Sequence, residues 1–211
     1  MESIKSPLSI RIIYWLTSFS LVMMIIVSLA AIVFNFMLYT KFFEGDSNMQ
    51  LHTDLPVKVD FLEIGKLRLN NQSVDVQLVE ATSRIHFFNT PLFITRKVAP
   101  VIFLLVSGVV YMIWIFRNFI KNVKNGEIFN IKNITLLKHL SYGMVGLWLF
   151  TVVYMRIFYY YIVKNLEFEN VRITEEIPNH SGLLFTALLI WVLAHIFITG
   201  LKLQEEKDLT I

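Results

Sequence analysis

The sequence contains no cysteine, and only 17% of its 211 residues are charged. Without a thiol, the chain cannot form a disulfide, a thiolate metal site or an iron–sulfur cluster. The charged fraction is well below the ~25% that is typical of soluble domains, whereas 55% of the residues are hydrophobic. The composition therefore favours a protein that is surrounded by lipid over part of its surface.

The sequence also lacks the usual motifs of catalysis and metal binding. No nucleophile elbow and no phosphate-binding glycine loop is present, and no Asp or Glu lies within a long apolar run, where it would serve a proton relay. The five histidines are dispersed, without the spacing of a zinc or haem site: His52, His86, His139, His180 and His195. We therefore predict a non-catalytic protein with no metal and no cofactor.

Four apolar runs are long enough to cross ~30 Å of hydrocarbon at ~1.5 Å per residue. They comprise residues 12–38, 98–119, 141–163 and 181–201. The first run is far longer than the apolar core of a signal peptide, which predicts a retained anchor rather than a cleaved leader. The fold class predicted is an all-α membrane protein built as a four-helix bundle.

The basic residues near the ends of these runs predict the orientation of the chain. The side that holds the N-terminus, a helical hairpin at 120–140 and a tail at 202–211 carries nine Lys and Arg residues against five acids, when Arg117 just before the hairpin is included. The other side also carries nine basic residues, but against eleven acids and over much longer loops. Both termini are therefore predicted to face the cytosol. No basic block interleaved with aromatic residues appears, so direct nucleic-acid binding is not expected.

The two segments on the other side, residues 40–97 and 164–180, alternate between apolar and polar residues as β-strands do. The alternation is clearest in "LPVKVDFLEI", "KLRL", "SVDVQLVE" and "LEFENVRIT", where it includes Leu166 and Phe168, and "NNQS" has the composition of a turn. A lone hairpin is marginally stable, so we expect one small extracytoplasmic antiparallel sheet built from both segments. Irregular surface loops are the alternative.

This layout resembles that of claudin-type proteins, in which strand-rich outer loops stand on four helices. The tryptophan and paired-cysteine signature of that family is absent. The resemblance therefore concerns architecture alone and implies no junction-forming function.

The connector between the second and third runs contains signals for a tight helical turn. Gly126 is suited to a left-handed backbone at the end of the second helix, and Asn130 is a good N-cap for the third. Phe129 and Ile134 occupy the positions of a hydrophobic staple. The sequence "GEIFNIKNITLLKHL" therefore predicts a capped helical hairpin that projects into the cytosol.

Two stretches resemble motifs of a bacterial four-span family, domain of unknown function 2975. In "GEIFNIKNITLLKHLSYG" the matching residues are Gly126, Phe129, Asn130, Asn133 and Leu137. In the tail "GLKLQEEKDLTI" they are Gly200, Leu203, Glu206, Asp208, Leu209, Thr210 and Ile211. The resemblance extends from the second apolar run to the C-terminus, and the first outer segment has the least similarity.

The resemblance implies a location in the bacterial inner membrane and a partner more than a reaction. Such proteins are often encoded beside a small helix-turn-helix transcription regulator, which suggests a sensor or tether that holds this cytosolic regulator. The candidate partner-binding residues are Gly126, Phe129, Asn133, Leu137, Leu203, Glu205, Glu206, Asp208 and Leu209. In the alternative reading, the basic residues of the hairpin only anchor the helices to anionic lipid.

Two other function classes remain open. One is a structural or immunity-type envelope protein whose outer sheet binds a peptide, a lipid or a neighbouring protein, and the weaker one is a small-molecule transporter. A homo-oligomer is compatible with each reading.

Three polar residues lie inside the apolar runs: Asn35, Arg156 and His195. Arg156 stands ~2 turns from the outer end of the third run, where a charge is costly unless it finds a partner or reaches the headgroups. A polar cluster of Asn35, Arg156 and the neighbouring tyrosines is one interpretation, and snorkelling of Arg156 is the other. For His195 we predict an interhelical hydrogen bond rather than a metal ligand.

Overall fold

The computed structural model describes residues 7–40, 53–69, 72–78, 81–87, 92–161, 163–174 and 180–209. Within these ranges the chain forms four long α-helices and five β-strands. The helices are α1 (Leu8–Tyr39), α2 (Leu92–Lys124), α3 (Ile131–Tyr161) and α4 (Ser181–Leu209). The strands are β1 (Thr53–Phe61), β2 (Ile64–Leu69), β3 (Gln72–Gln77), β4 (Ala81–Phe87) and β5 (Val171–Ile173).

All four helices are long and apolar enough to cross a membrane. Each has at least 29 residues, which exceeds the ~20 needed for a crossing. Large apolar side chains cover much of their exposed surface, among them Phe19, Phe36, Phe185 and Leu188. A soluble monomer rarely exposes so much apolar surface, so these features indicate a multi-pass membrane protein.

Helices α1 and α2 are joined by hydrogen bonds around a proline inside α2. Pro100 has no N–H, so the carbonyl of Arg96, four residues earlier, loses its helical donor. The Tyr39 hydroxyl donates to that carbonyl at 2.8 Å, and Arg96 Nε donates to the Leu38 carbonyl at 2.8 Å. The end of α1 and the first turns of α2 thus hydrogen-bond to each other's backbone carbonyls.

The chain divides into two compact units. The first contains α1, α2, α4 and α3 as far as Trp148. One buried cluster in it joins Phe119 of α2, Leu137 of α3 and Ala194 of α4. A second cluster lies between α2 and α3 and comprises Met112, Ile115 and Leu140. The Ser141 hydroxyl also donates to the Ala187 carbonyl at 2.8 Å, which ties α3 to α4.

The second unit contains the strands and the rest of α3. Strand β1 is the centre of a three-stranded antiparallel sheet in the order β4, β1, β5. Val59 pairs with Ala81 on one side and with Ile173 on the other, and both Val57 and Val59 are buried. The prediction that both outer segments contribute to one antiparallel sheet is confirmed for these strands.

Two details of that prediction are wrong. Strands β2 and β3 pair with each other in a separate antiparallel hairpin, whereas β4 and β5 flank β1 in the sheet. Leu166 and Phe168 lie outside any strand. After α3 the chain makes a 3-10 turn at Val163–Asn165, and strand pairing begins only at Val171. Asn70 and Asn71 of the predicted turn lie outside the described residues.

Candidate functional site: the α2–α3 connector and the end of α4

Gly126 ends α2 with a left-handed backbone, as predicted. Its φ angle is +88°, and its N–H donates to the Val123 carbonyl at 3.1 Å. A Cβ at this position would meet nothing within 4 Å. Glycine is therefore required at this position by the left-handed backbone conformation and not by crowding around the Cβ position.

Asn130 caps the start of α3, which confirms the second prediction for the connector. Its Oδ1 accepts a hydrogen bond from the backbone N–H of Asn133 at 2.7 Å, the bond expected of an N-cap. Its Nδ2 also donates to Glu127 Oε2 at 3.1 Å, so the cap is itself held in place.

Asn133 has a structural role that the sequence did not reveal. Its side chain is fully buried, with 0% exposure. Nδ2 donates to the carbonyls of Glu127 (2.6 Å) and Ile128 (2.9 Å), while Oδ1 accepts from Asn122 Nδ2 (2.8 Å). One amide group thus binds the end of α2, the turn and the start of α3 together. A partner would meet the turn that Asn133 shapes rather than its side chain.

Phe129 contacts α4 rather than only its own hairpin. Its ring centroid is 5.2 Å from that of Phe197, which in turn is 5.8 Å from the ring of Phe119 on α2. A Cβ on Gly200 would stand 2.6 Å from Phe129 Cε1. Gly200 is therefore needed so that the ring can lie against the α4 backbone. The contact of Phe129 with Ile134 in a hydrophobic staple stays a prediction.

The two motif segments therefore meet at one place. The connector supplies Phe129, the last part of α4 supplies Gly200, and Leu137 is 2% exposed within the cluster that includes Phe119 and Ala194. The sequence alone does not predict this contact. About 70 residues separate Phe129 from Gly200, and their contact depends on how the helices pack.

A groove of about 800 Å³ lies between the connector and α4. It is lined by Gly126, Glu127, Ile128, Phe129, Asn130, Ile131, Lys132, Leu201, Gln204 and Glu205. Ile128 and Ile131 are exposed, and the latter reaches 71% exposure. The groove therefore combines apolar groups with two acids and one lysine.

Three other predicted tail residues lie on the last turns of α4, outside the described lining of the groove. Leu203, Glu206 and Leu209 are exposed there. The side chain of Asp208, and all of Thr210 and Ile211, lie outside the described part. Partner binding by these residues stays a prediction.

The three polar residues inside the apolar runs have different surroundings. Asn35 Nδ2 donates to the carbonyl of Ala31 at 2.9 Å and to that of Ala99 on α2 at 3.4 Å. Arg156 is exposed and lines a shallow groove with Lys164, a placement compatible with snorkelling. Asn35 and Arg156 belong to different units, so their predicted cluster stays a prediction.

The prediction of an interhelical hydrogen bond for His195 is wrong. Its Nδ1 lies 3.0 Å from the Trp191 carbonyl one turn earlier on the same helix, and the two rings are 4.1 Å apart. The side chain is exposed, so it faces away from neighbouring helices and uses the nearest backbone acceptor. Within the described residues, no group of three His, Asp or Glu side chains is placed to hold a metal ion.

Arg117 joins α2 to α1, a role that its place in the sequence does not reveal. Its Nε donates to Ser18 Oγ and its Nη2 to the Tyr14 hydroxyl, both at 2.9 Å. The ring of Tyr14 also lies 5.1 Å from the Arg117 Cζ and 4.5 Å from Lys124 Nζ. In the sequence, Arg117 appeared only as one of the basic residues that set the orientation.

Comparison with known families supports the two motifs. The family described as "Protein of unknown function (DUF2975)" matches residues 69–211, which include the connector and all of α4. No curated protein and no solved structure matches the chain.

Proposed function

The chain belongs to the DUF2975 family, and from its geometry we propose that it is a non-catalytic membrane protein that holds a cytosolic partner in the groove between the α2–α3 connector and α4. The observation that carries this proposal is the meeting of the two motif segments at Phe129 and Gly200, beside a groove with exposed apolar side chains.

We place the chain in the bacterial inner membrane, crossing it four times, with both termini and the connector in the cytosol. The sheet then lies on the extracytoplasmic side of that membrane, in a claudin-like layout. The pairing of β1 with β5 supports this topology. Strand β1 precedes α2 and β5 follows α3, so the two segments lie on the same side only if the chain crosses an even number of times between them.

The chemistry of the groove favours a protein partner. In the proposed topology the connector projects into water, where the exposed Glu127 and Lys132 are solvated. Ile128 and Ile131 are exposed to that water although their side chains are apolar. Burial of an isoleucine side chain against a partner stabilises the complex by ~1.5–3 kcal/mol. A helix with an apolar stripe and a basic edge would match the isoleucines and the two acids, Glu127 and Glu205.

The partner proposed is the helix-turn-helix transcription regulator that the family context suggests. The rings of Phe129, Phe197 and Phe119 contact one another in turn at tilted angles and connect the groove to the packing of α2 and α4. A change in the bundle, produced by a signal outside the cell, would move the ring of Phe129 and with it one wall of the groove. This is how a tether would also act as a sensor.

A matched pair of substitutions tests the groove. Ile131 is 71% exposed beside it, and Ile64 is 68% exposed on β2 in the other unit. We expect Ile131→Ser to reduce the fraction of the regulator that sediments with membranes, and Ile64→Ser to leave it unchanged. Equal retention by both variants and the unsubstituted chain would argue against the groove as the binding site.

The second candidate, an envelope protein that binds through its outer sheet, has one observation in its favour. The β2–β3 hairpin places Leu67 directly opposite Val74 and Gly65 opposite Val76, with Leu67, Val74 and Val76 all exposed. An apolar face on a free hairpin is a surface that a partner strand or peptide would cover. Loss of the phenotype in Leu67→Ser, on this apolar face, with the phenotype kept in Ile131→Ser, would favour this candidate over the tether.

A further inference from the structure

Two cations on α2 share a single tyrosine ring on α1. Arg117 and Lys124 are seven residues apart, so they lie on the same face of α2 two turns from each other. Both reach the ring of Tyr14, with Arg117 Cζ at 5.1 Å and Lys124 Nζ at 4.5 Å from its centroid. The ring thus fixes where both positive charges lie.

These charges have only neutral partners among the described residues. The guanidinium of Arg117 is oriented by Ser18 Oγ and by the Tyr14 hydroxyl, each at 2.9 Å. The face of an aromatic ring attracts a cation but does not cancel its charge. Nη1 of Arg117 and Nζ of Lys124 have no described carboxylate to receive their hydrogen bonds. Two positive charges held together in this way create a site for an anion.

The depth of the site indicates which anion. Arg117 lies two residues inside the predicted end of the second span, residue 119, and Lys124 is the last residue of α2. In the proposed topology the space between them coincides with the phosphates of the cytosolic leaflet. Trp15, beside Tyr14, is exposed, and tryptophan is typical of this interface.

We propose that Tyr14, Arg117 and Lys124 bind the phosphate of an anionic phospholipid from the cytosolic leaflet. Arg117 donates from Nη1 and Lys124 from Nζ, while Tyr14 and Ser18 hold the guanidinium in place. The inference rests on the proposed membrane insertion, but it adds a defined lipid site to it. Each basic residue at an anionic surface contributes ~5-fold in affinity.

The test uses Trp15 as a reporter in the full chain, with Trp114, Trp148 and Trp191 replaced by Phe. The protein is inserted into phosphatidylcholine vesicles in which a fixed fraction is either brominated phosphatidylglycerol or brominated phosphatidylcholine. Quenching of Trp15 then gives the preference for the anionic lipid. Lys124→Gln removes a charge without breaking a described hydrogen bond, and Lys121→Gln makes the same change at an exposed position on the same turn.

We expect the unsubstituted chain to prefer phosphatidylglycerol at least ~5-fold, and Lys124→Gln to lower that preference ~5-fold. Lys121→Gln should change it less than half as much. An equal loss in both variants would show diffuse surface charge and overturn the site. Inorganic phosphate that abolishes the preference at millimolar concentration would show a free anion instead.

Failure of the topology is distinguishable from failure of the lipid site. If brominated phosphatidylcholine does not quench Trp15 at all, the first helix is not in the bilayer, and the proposed function fails together with this inference. If it quenches normally but phosphatidylglycerol gives no extra quenching, only the lipid site is refuted. Circular dichroism of each variant confirms that the helices are retained.

Discussion

Replacement of Gly200 by alanine should separate the connector from α4. The new Cβ would stand 2.6 Å from Cε1, 2.7 Å from Cδ1 and 3.1 Å from Cζ of the Phe129 ring. Carbon atoms in contact prefer ~3.5–4.0 Å, so the ring or the helix must move. Overpacking of this kind costs ~1–3 kcal/mol.

Gly146 provides a matched control because it also lies inside a long helix. A Cβ there would meet nothing within 4 Å, so Gly146→Ala should gain only the helix-propensity term of ~0.5–1 kcal/mol. Gly200→Ala gains the same term but also meets the ring. The free energies of unfolding of the two variants should therefore differ by the overpacking cost of ~1–3 kcal/mol.

The assay is reversible unfolding in mixed detergent micelles, followed by circular dichroism. A second background, Phe129→Ala, removes the ring that the methyl group would strike. In that background Gly200→Ala should cost nothing and gain the ~0.5–1 kcal/mol of helix propensity. If Gly200→Ala has the same effect with and without the Phe129 ring, the contact between the two motifs does not exist as described.

Two further predictions concern the hydrogen bonds that hold the helices. Asn133→Ala would remove the three hydrogen bonds of its amide group, each worth ~0.5–1.5 kcal/mol. Asn125→Ala, at an exposed position, should be nearly neutral in the same unfolding assay. Tyr39→Phe would remove the hydroxyl that donates to the Arg96 carbonyl, and it should lower the unfolding free energy by ~1 kcal/mol. No loss would show that this hydrogen bond does not hold the two helices together.

Local features were predictable from the sequence because each is determined by a few adjacent residues. Gly126 and Asn130 are examples, since a left-handed backbone and an N-cap depend on the chemistry of single side chains. The alternation in "LPVKVDFLEI" indicated β1 for the same reason, because a strand with one buried face repeats every two residues.

The contacts between elements were not predictable in this way. Phe129 and Gly200 are both in recognised motifs, yet nothing in either segment shows that one ring lies on the other backbone. His195 illustrates the same limit, because the sequence cannot tell which helix face is exposed, and its ring bonds to its own helix. The pairing of β1 with β4 and β5 likewise depends on long-range topology rather than on local pattern.

The measurement that tests the central claim most directly is the side from which each loop is reached in intact cells. The chain has no cysteine. A membrane-impermeant maleimide therefore reacts with the chain only at a single cysteine introduced at an exposed position. We predict that Gln204→Cys in the groove is labelled only after the cells are opened, and that Asp75→Cys on β3 is labelled in intact cells. Labelling of Gln204→Cys in intact cells would contradict a cytosolic groove and the tether proposed for it.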